Sequence, residues 1–188
     1  KILCILLLLL TGCSSKTSMI EIQKHVYVEK EFKDSWLETN EFGDSYIKEE
    51  LQGGYHYHFD QQFLEIFFNT GGKIELYNYS IKKNDLIISG EMIPPKTIRL
   101  VHPHLDNVTS EGVIIHELGH YFDEKHQFSS SKQFTKLYKK YRTLFNQKTK
   151  KEYFAECFKE YVGGHQEKVK PFHSYMKTIT QKIRQKNK

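Results

Sequence analysis

The residues predict an α+β domain with a small sheet in its N-terminal half and a mostly helical C-terminal half, on the strength of one change of periodicity. Up to about residue 101, apart from one helical stretch near 60–69, the apolar residues fall in short β-branched or aromatic runs. From about 109 onward they recur every three or four residues, as on the buried stripe of a helix. Both patterns occur within 188 residues without an internal repeat or low-complexity block, which fits one domain with its own core.

The first β-rich run is His25-Val26-Tyr27-Val28, and the domain is expected to cover residues 25–188. Residues 32–54 show no clear period and end at Gly53-Gly54, a turn signal. Phe59, Phe63, Ile66 and Phe67 share one face of a helix expected over about 60–69, which Asn69 to Gly72 would stop. "KIELYNYSI", "DLIISGEMI" and "KTIRLVH" read as three short strands, the last following a Pro94-Pro95 break. Helices are expected over about 109–122, 130–145, 150–163 and 171–185, with Gly163-Gly164 and Pro171 at the last boundary.

The amino terminus obeys a different logic. Lys1 precedes nine apolar residues, Ile2 to Leu10, and then Thr11-Gly12-Cys13, the order of a secretory signal and too short a run to span a bilayer. The tetrad Leu10-Thr11-Gly12-Cys13 resembles the lipobox of bacterial lipoproteins. That resemblance implies cleavage before Cys13, a lipid on Cys13, and anchoring on the extracytoplasmic face of the cell membrane. Residues 1–12 would be the signal peptide and 13–24 the lipidated cysteine and tether. Cys4 would leave with the signal, so no internal disulfide is expected, and Cys157, in an apolar helical stretch, reads as a small buried hydrophobe. The excess of 28 Lys+Arg over 23 Asp+Glu is scattered rather than gathered into a stripe, and no nucleic-acid-binding motif is present.

The chemistry is concentrated in "EGVIIHELGHYFDE", residues 111–124. Residues four apart lie one turn apart on one helix face, so His116 and His120 can aim imidazole nitrogens at one metal ion, and Glu117 can reach a water there as general base. Thr109 or Ser110 can cap the helix and Glu111 suits its positive end. Gly119 costs about 1 kcal/mol against Ala in a helix interior, which close approach of another backbone or of a substrate would explain.

A catalytic zinc usually takes three protein ligands, and the residues offer two sources for the third. His126 stands ten after His116, as in the elongated His-Glu-x-x-His motif, but Asp123 occupies the place where that motif needs glycine for a sharp bend. The other source is "KKEYFAECFKEYV", in which Glu152, Glu156 and Glu160 recur along a second helix. One carboxylate there can complete the site and another, a turn away, can accept the outer N–H of a ligating histidine.

The pairing of His-Glu-Leu-Gly-His with Glu-Tyr-Phe-Ala-Glu some thirty residues later resembles the anthrax lethal factor-like metalloendopeptidase domain, which also includes the bacterial Pro-Pro endopeptidases. The resemblance covers roughly residues 55–185. It implies a zincin-like metalloprotease fold, one Zn²⁺ per chain held by His116, His120 and Glu152, Glu117 as general base, and Glu156 behind the ligands. Asp123, one turn beyond His120, is a further candidate for that supporting role. The implied partner is a protein or peptide substrate, taken by a monomer. The family also places a tyrosine seven residues before its glutamate ligand, where this chain has Phe145. Losing such an oxyanion donor commonly costs about a hundredfold in rate. Tyr141 could substitute, or the domain could be a tethered peptide-binding protein with little turnover.

Two histidine pairs, His56/His58 and His102/His104, read as exposed polar positions rather than a second metal site. By analogy with zinc peptidases, "KTIRLV" is expected to form the cleft edge on which a peptide could pair as an added strand.

Overall fold

The computed structural model describes residues 18–39, 43–79, 81–83, 86–102, 112–147 and 149–187. The expected signal peptide, Cys13, His104 and the helix-start candidates Thr109, Ser110 and Glu111 lie outside them.

A mixed five-stranded sheet forms from β1 (Met19–Gln23), β2 (Val26–Glu29), β3 (Lys73–Tyr77), β7 (Thr97–Val101) and β6 (Gly90–Ile93), in that spatial order. β1 and β6 are antiparallel to their neighbours, whereas β2, β3 and β7 run parallel. The register puts Val26, Ile74 and Ile98 in one row and Val28, Leu76 and Leu100 in the next, all with no exposed surface. Alternation along each strand places these rows on one face, the core face. The opposite face carries polar groups, among them Arg99 bonded to both Glu75 and Glu91. β1 occupies part of the stretch expected as tether. Its chain turns back at His25, which adopts a left-handed backbone (φ 68°), so β2 starts one residue later than the run His25–Val28 suggests.

The ambiguous stretch 32–54 holds two short helices, α1 (Lys33–Leu37) and α2 (Tyr46–Gln52), and α3 (Gln62–Asn69) buries Phe63, Leu64, Ile66 and Phe67 as its spacing predicts. Two expected strands are each broken in two, giving β4 (Ile81–Lys83) and β5 (Leu86–Ile88) as a separate ribbon beside β3 and β6. The second half is helical: α4 (Val113–His126), α5 (Lys132–Tyr141), α6 (Lys150–Val162) and α7 (His173–Lys186). None of the described helices is long and apolar enough to cross a membrane.

Aromatic rings weld these helices together. Phe122 and Phe158 pack across α4 and α6 at 5.6 Å, and Phe63 from α3 meets both. Cys157 is fully buried in this layer, and burial pushes its thiol well above its usual range, so it is protonated and inert.

Candidate metal centre

The site lies where α4 and α6 touch, and Gly119 lets them touch. A Cβ at Gly119 would lie 2.9 Å from the Ala155 Cα and 3.2 Å from its carbonyl oxygen, so only a residue without a side chain allows this approach. α6 starts at Thr149, whose side chain accepts the Glu152 N–H at 3.2 Å. Thr-x-x-Glu is the capping-box pattern, in which the glutamate would turn back to the cap. Here Glu152 instead reaches across to α4.

There its Oε2 lies 3.2 Å from the Nε2 atoms of both His116 and His120, and those two nitrogens are 3.2 Å from one another. Three donors at the corners of a tetrahedron, each about 2.0 Å from a central ion, would be separated by about 3.3 Å. The equilateral triangle therefore fits, and His116, His120 and Glu152 form a half-buried group that could hold a metal ion.

One turn along α6, Glu156 fixes the first ligand. Its Oε2 lies 3.2 Å from His116 Nδ1, while its Oε1 accepts from Lys159 Nζ at 2.7 Å. A carboxylate at Nδ1 calls for a proton on that nitrogen, so it is the Nε2 proton that a metal ion would displace to find a lone pair facing the triangle. Glu160 serves a different end. It is 4% exposed and accepts bonds from Tyr57, His165 and Lys168, closing the far end of the helix.

The charges are coupled through this arrangement. Burial would lower the His116 pKa, but the bonds to Glu152 and Glu156 overcome it and raise it to about 9. His116 and His120 hold the Glu152 carboxyl well below its ordinary range. For Glu156, bonds from His116 and Lys159 outweigh burial and lower its pKa. Glu117 is 6% exposed, and burial pushes its pKa up against the pull of His116 and His120. It also accepts a hydrogen bond from the Met92 backbone.

Compared with known proteins, the chain matches no family model and no curated protein.

Met92 shows how the sheet edge meets the site. Val101 N–H donates to Ser89 O at 2.8 Å, which makes this pair hydrogen-bonded across the β6/β7 ladder. By the alternation of antiparallel pairs, Gly90 and Met92 then turn their N–H and C=O groups away from β7. Among the described strands β6 is an edge and β7 lies inside the sheet, so the sheet edge beside the triangle is "GEMI", and the expected "KTIRLV" is not an edge. The sequence hid this because β6 shares one apolar run with β5.

Two other expectations are corrected. Asp123 does not support a ligand: both its oxygens accept from Ser129, backbone at 2.6 Å and hydroxyl at 2.7 Å, where they brace the turn after α4. α4 runs straight through Asp123 and ends only when Gln127 turns left-handed. His126 therefore sits about 15 Å along the axis from His116, its ring against Phe128 at 5.1 Å, and cannot share an ion with it. Phe145 packs on Tyr153 at 5.2 Å, and Tyr141 packs on Phe172 at 6.1 Å while its carbonyl accepts the Tyr153 hydroxyl. His56 and His58 are exposed as expected, but His102 is buried between Trp36 and Tyr46 and bonds Ser35 O at 3.2 Å. Lys159 and Met92 are the contributors that sequence reasoning missed. The spacing of Glu156 and Lys159, three apart on a helix, was a readable signal for the first.

Proposed function

We propose that the protein is a zinc-dependent endopeptidase of the lethal factor-like, zincin type, held outside a bacterial membrane by a lipid on Cys13. The equilateral donor triangle with Glu117 beside it carries the reading. Imidazole and carboxylate donors that close three corners of a tetrahedron and leave the fourth open suit a catalytic zinc. When bound, such an ion supplies Lewis acidity, which polarises a carbonyl and makes a water nucleophilic near neutral pH.

The chain's own groups do the rest. A peptide lying antiparallel on β6 meets the outward N–H and C=O groups of Gly90 and the outward C=O of Met92, whose N–H is held by Glu117, and is drawn out straight across the histidines. Glu117, set on the same turn as His116, takes a proton from the attacking water as its oxygen adds to the carbonyl carbon. It then gives that proton to the amide nitrogen as the C–N bond breaks. Its raised pKa suits both halves of this exchange. Glu156, steadied by Lys159, keeps the His116 ring from rotating.

A second reading, a tethered binder with little turnover, is favoured by one observation: Phe145 and Tyr141 both pack on core rings and lie outside the polar contacts of the triangle. Glu117→Gln separates the two readings. Cleavage of a peptide library by the zinc-loaded protein, abolished in Glu117→Gln with zinc retained, is the result expected of a peptidase. Stoichiometric zinc without cleavage of any library would leave the binder.

A further inference from the structure

α4 and β6 run side by side in the same direction. Gly90 abuts Val113, where an added Cβ would lie 2.6 Å from Val113 Cγ1, and two residues on, Met92 donates to Glu117. Another two residues on, the chain reaches Pro94 and Pro95, which line a cleft with Tyr121 and Lys125. Two strand residues advance about 6.6 Å and four helix residues about 6.0 Å, so the two elements stay in step from Val113 through Glu117 to Tyr121 and Lys125. The cleft, of about 460 Å³, is thus the direct continuation of the catalytic groove, one helix turn past Glu117.

We infer that this cleft binds an apolar side chain of the substrate, two to three residues before the cleaved bond. The inference rests on the peptidase reading. A peptide antiparallel to β6 runs its amino-terminal side toward Pro94, and two residues separate Pro94 from Met92, beside which Glu117 acts. The lining is mainly apolar: Pro94 and Pro95 share it with Tyr121, whose hydroxyl is already bonded to Thr70 Oγ1 at 2.6 Å and asks nothing of a ligand. Two lysines join the lining, Lys96 bonded to the Thr70 carbonyl and Lys125 over the Tyr121 ring at 5.9 Å, against the single carboxylate of Glu124. Phe or Leu is therefore favoured in the cleft and Lys or Arg disfavoured.

The test uses the zinc-loaded full chain and quenched peptides that differ only at the second and third positions before the cleaved bond. Phe or Leu at one of these raises kcat/KM about ten- to hundredfold over Ala. Glu124→Trp and Lys96→Trp, which fill the cleft from opposite walls, bring that ratio toward one. In parallel, binding of the Phe and Ala peptides to zinc-loaded Glu117→Gln is measured by fluorescence anisotropy. Cleavage with no preference at either position overturns the cleft assignment and leaves the peptidase standing. Selective binding of the Phe peptide, lost in both Trp variants, without cleavage by the unaltered protein overturns the peptidase and keeps the cleft. Neither cleavage nor selective binding overturns both.

Discussion

Gly119→Ala tests whether the contact of α4 with α6 sets the metal geometry. In a helix interior the change alone should stabilise by about 1 kcal/mol. The new Cβ, however, would stand 2.9 Å from the Ala155 Cα, about half an ångström inside ordinary contact, and what it meets is backbone that cannot rotate aside. The helices must part. Overpacking of this kind costs about 1–3 kcal/mol, so the net loss of stability is about 0–2 kcal/mol. The larger effect falls on the metal. Glu152 sits one turn before Ala155, and a half-ångström separation would stretch the 3.2 Å edges of the triangle beyond the roughly 0.2 Å tolerance of metal–ligand bonds. Zinc affinity, read by competition with a chromophoric chelator, should fall at least tenfold while thermal unfolding of the zinc-free protein shifts by only a few degrees. A raised melting temperature with unchanged zinc affinity would show that the close approach does not govern the site.

Asp123→Ala removes both bonds to Ser129 at a residue 3% exposed and should cost about 1.5–3 kcal/mol in urea denaturation, with zinc affinity unchanged; a large loss of affinity would restore Asp123 to the supporting role behind the ligands. The pH dependence follows from His116, whose pKa rises from 6.5 in the unfolded chain to about 9 in the zinc-free fold. A raised pKa means that the folded state holds the proton more tightly, so the stability it contributes is complete below pH 6.5 and lost as pH rises through about 9. Glu117, also raised, acts in the same sense. Denaturation of zinc-free protein at pH 6, 8 and 10 should show the fall. Zinc must displace the His116 proton, so its apparent affinity should climb about tenfold per pH unit across that window. An affinity independent of pH would contradict the bonds drawn to His116.

Much of this was legible because helices announce themselves by spacing. The four helices of the second half and α3 lie where apolar periodicity put them, and the two motifs stand on facing helices. Even the helix-breaking glycine at 119 had its reason anticipated as close backbone approach. What escaped depends on partners distant in sequence. Nothing in "DLIISGEMI" says that its second half leaves the first to pair with β7 and become the edge. Asp123 has ligand-like spacing, and only the turn that brings Ser129 back to it decides otherwise. His102, polar and next to a proline, looked exposed, yet Trp36 and Tyr46 enclose it and Ser35 O satisfies its ring. Burial of a polar side chain is a tertiary fact, visible only once the partner that satisfies it is in place.

The most direct measurement is zinc content and affinity of the unaltered protein beside Glu152→Ala and His126→Ala. One zinc per chain in the first, a loss of about a hundredfold or more in Glu152→Ala, and no change in His126→Ala are predicted from the 3.2 Å triangle. Tight, stoichiometric zinc in Glu152→Ala would contradict it.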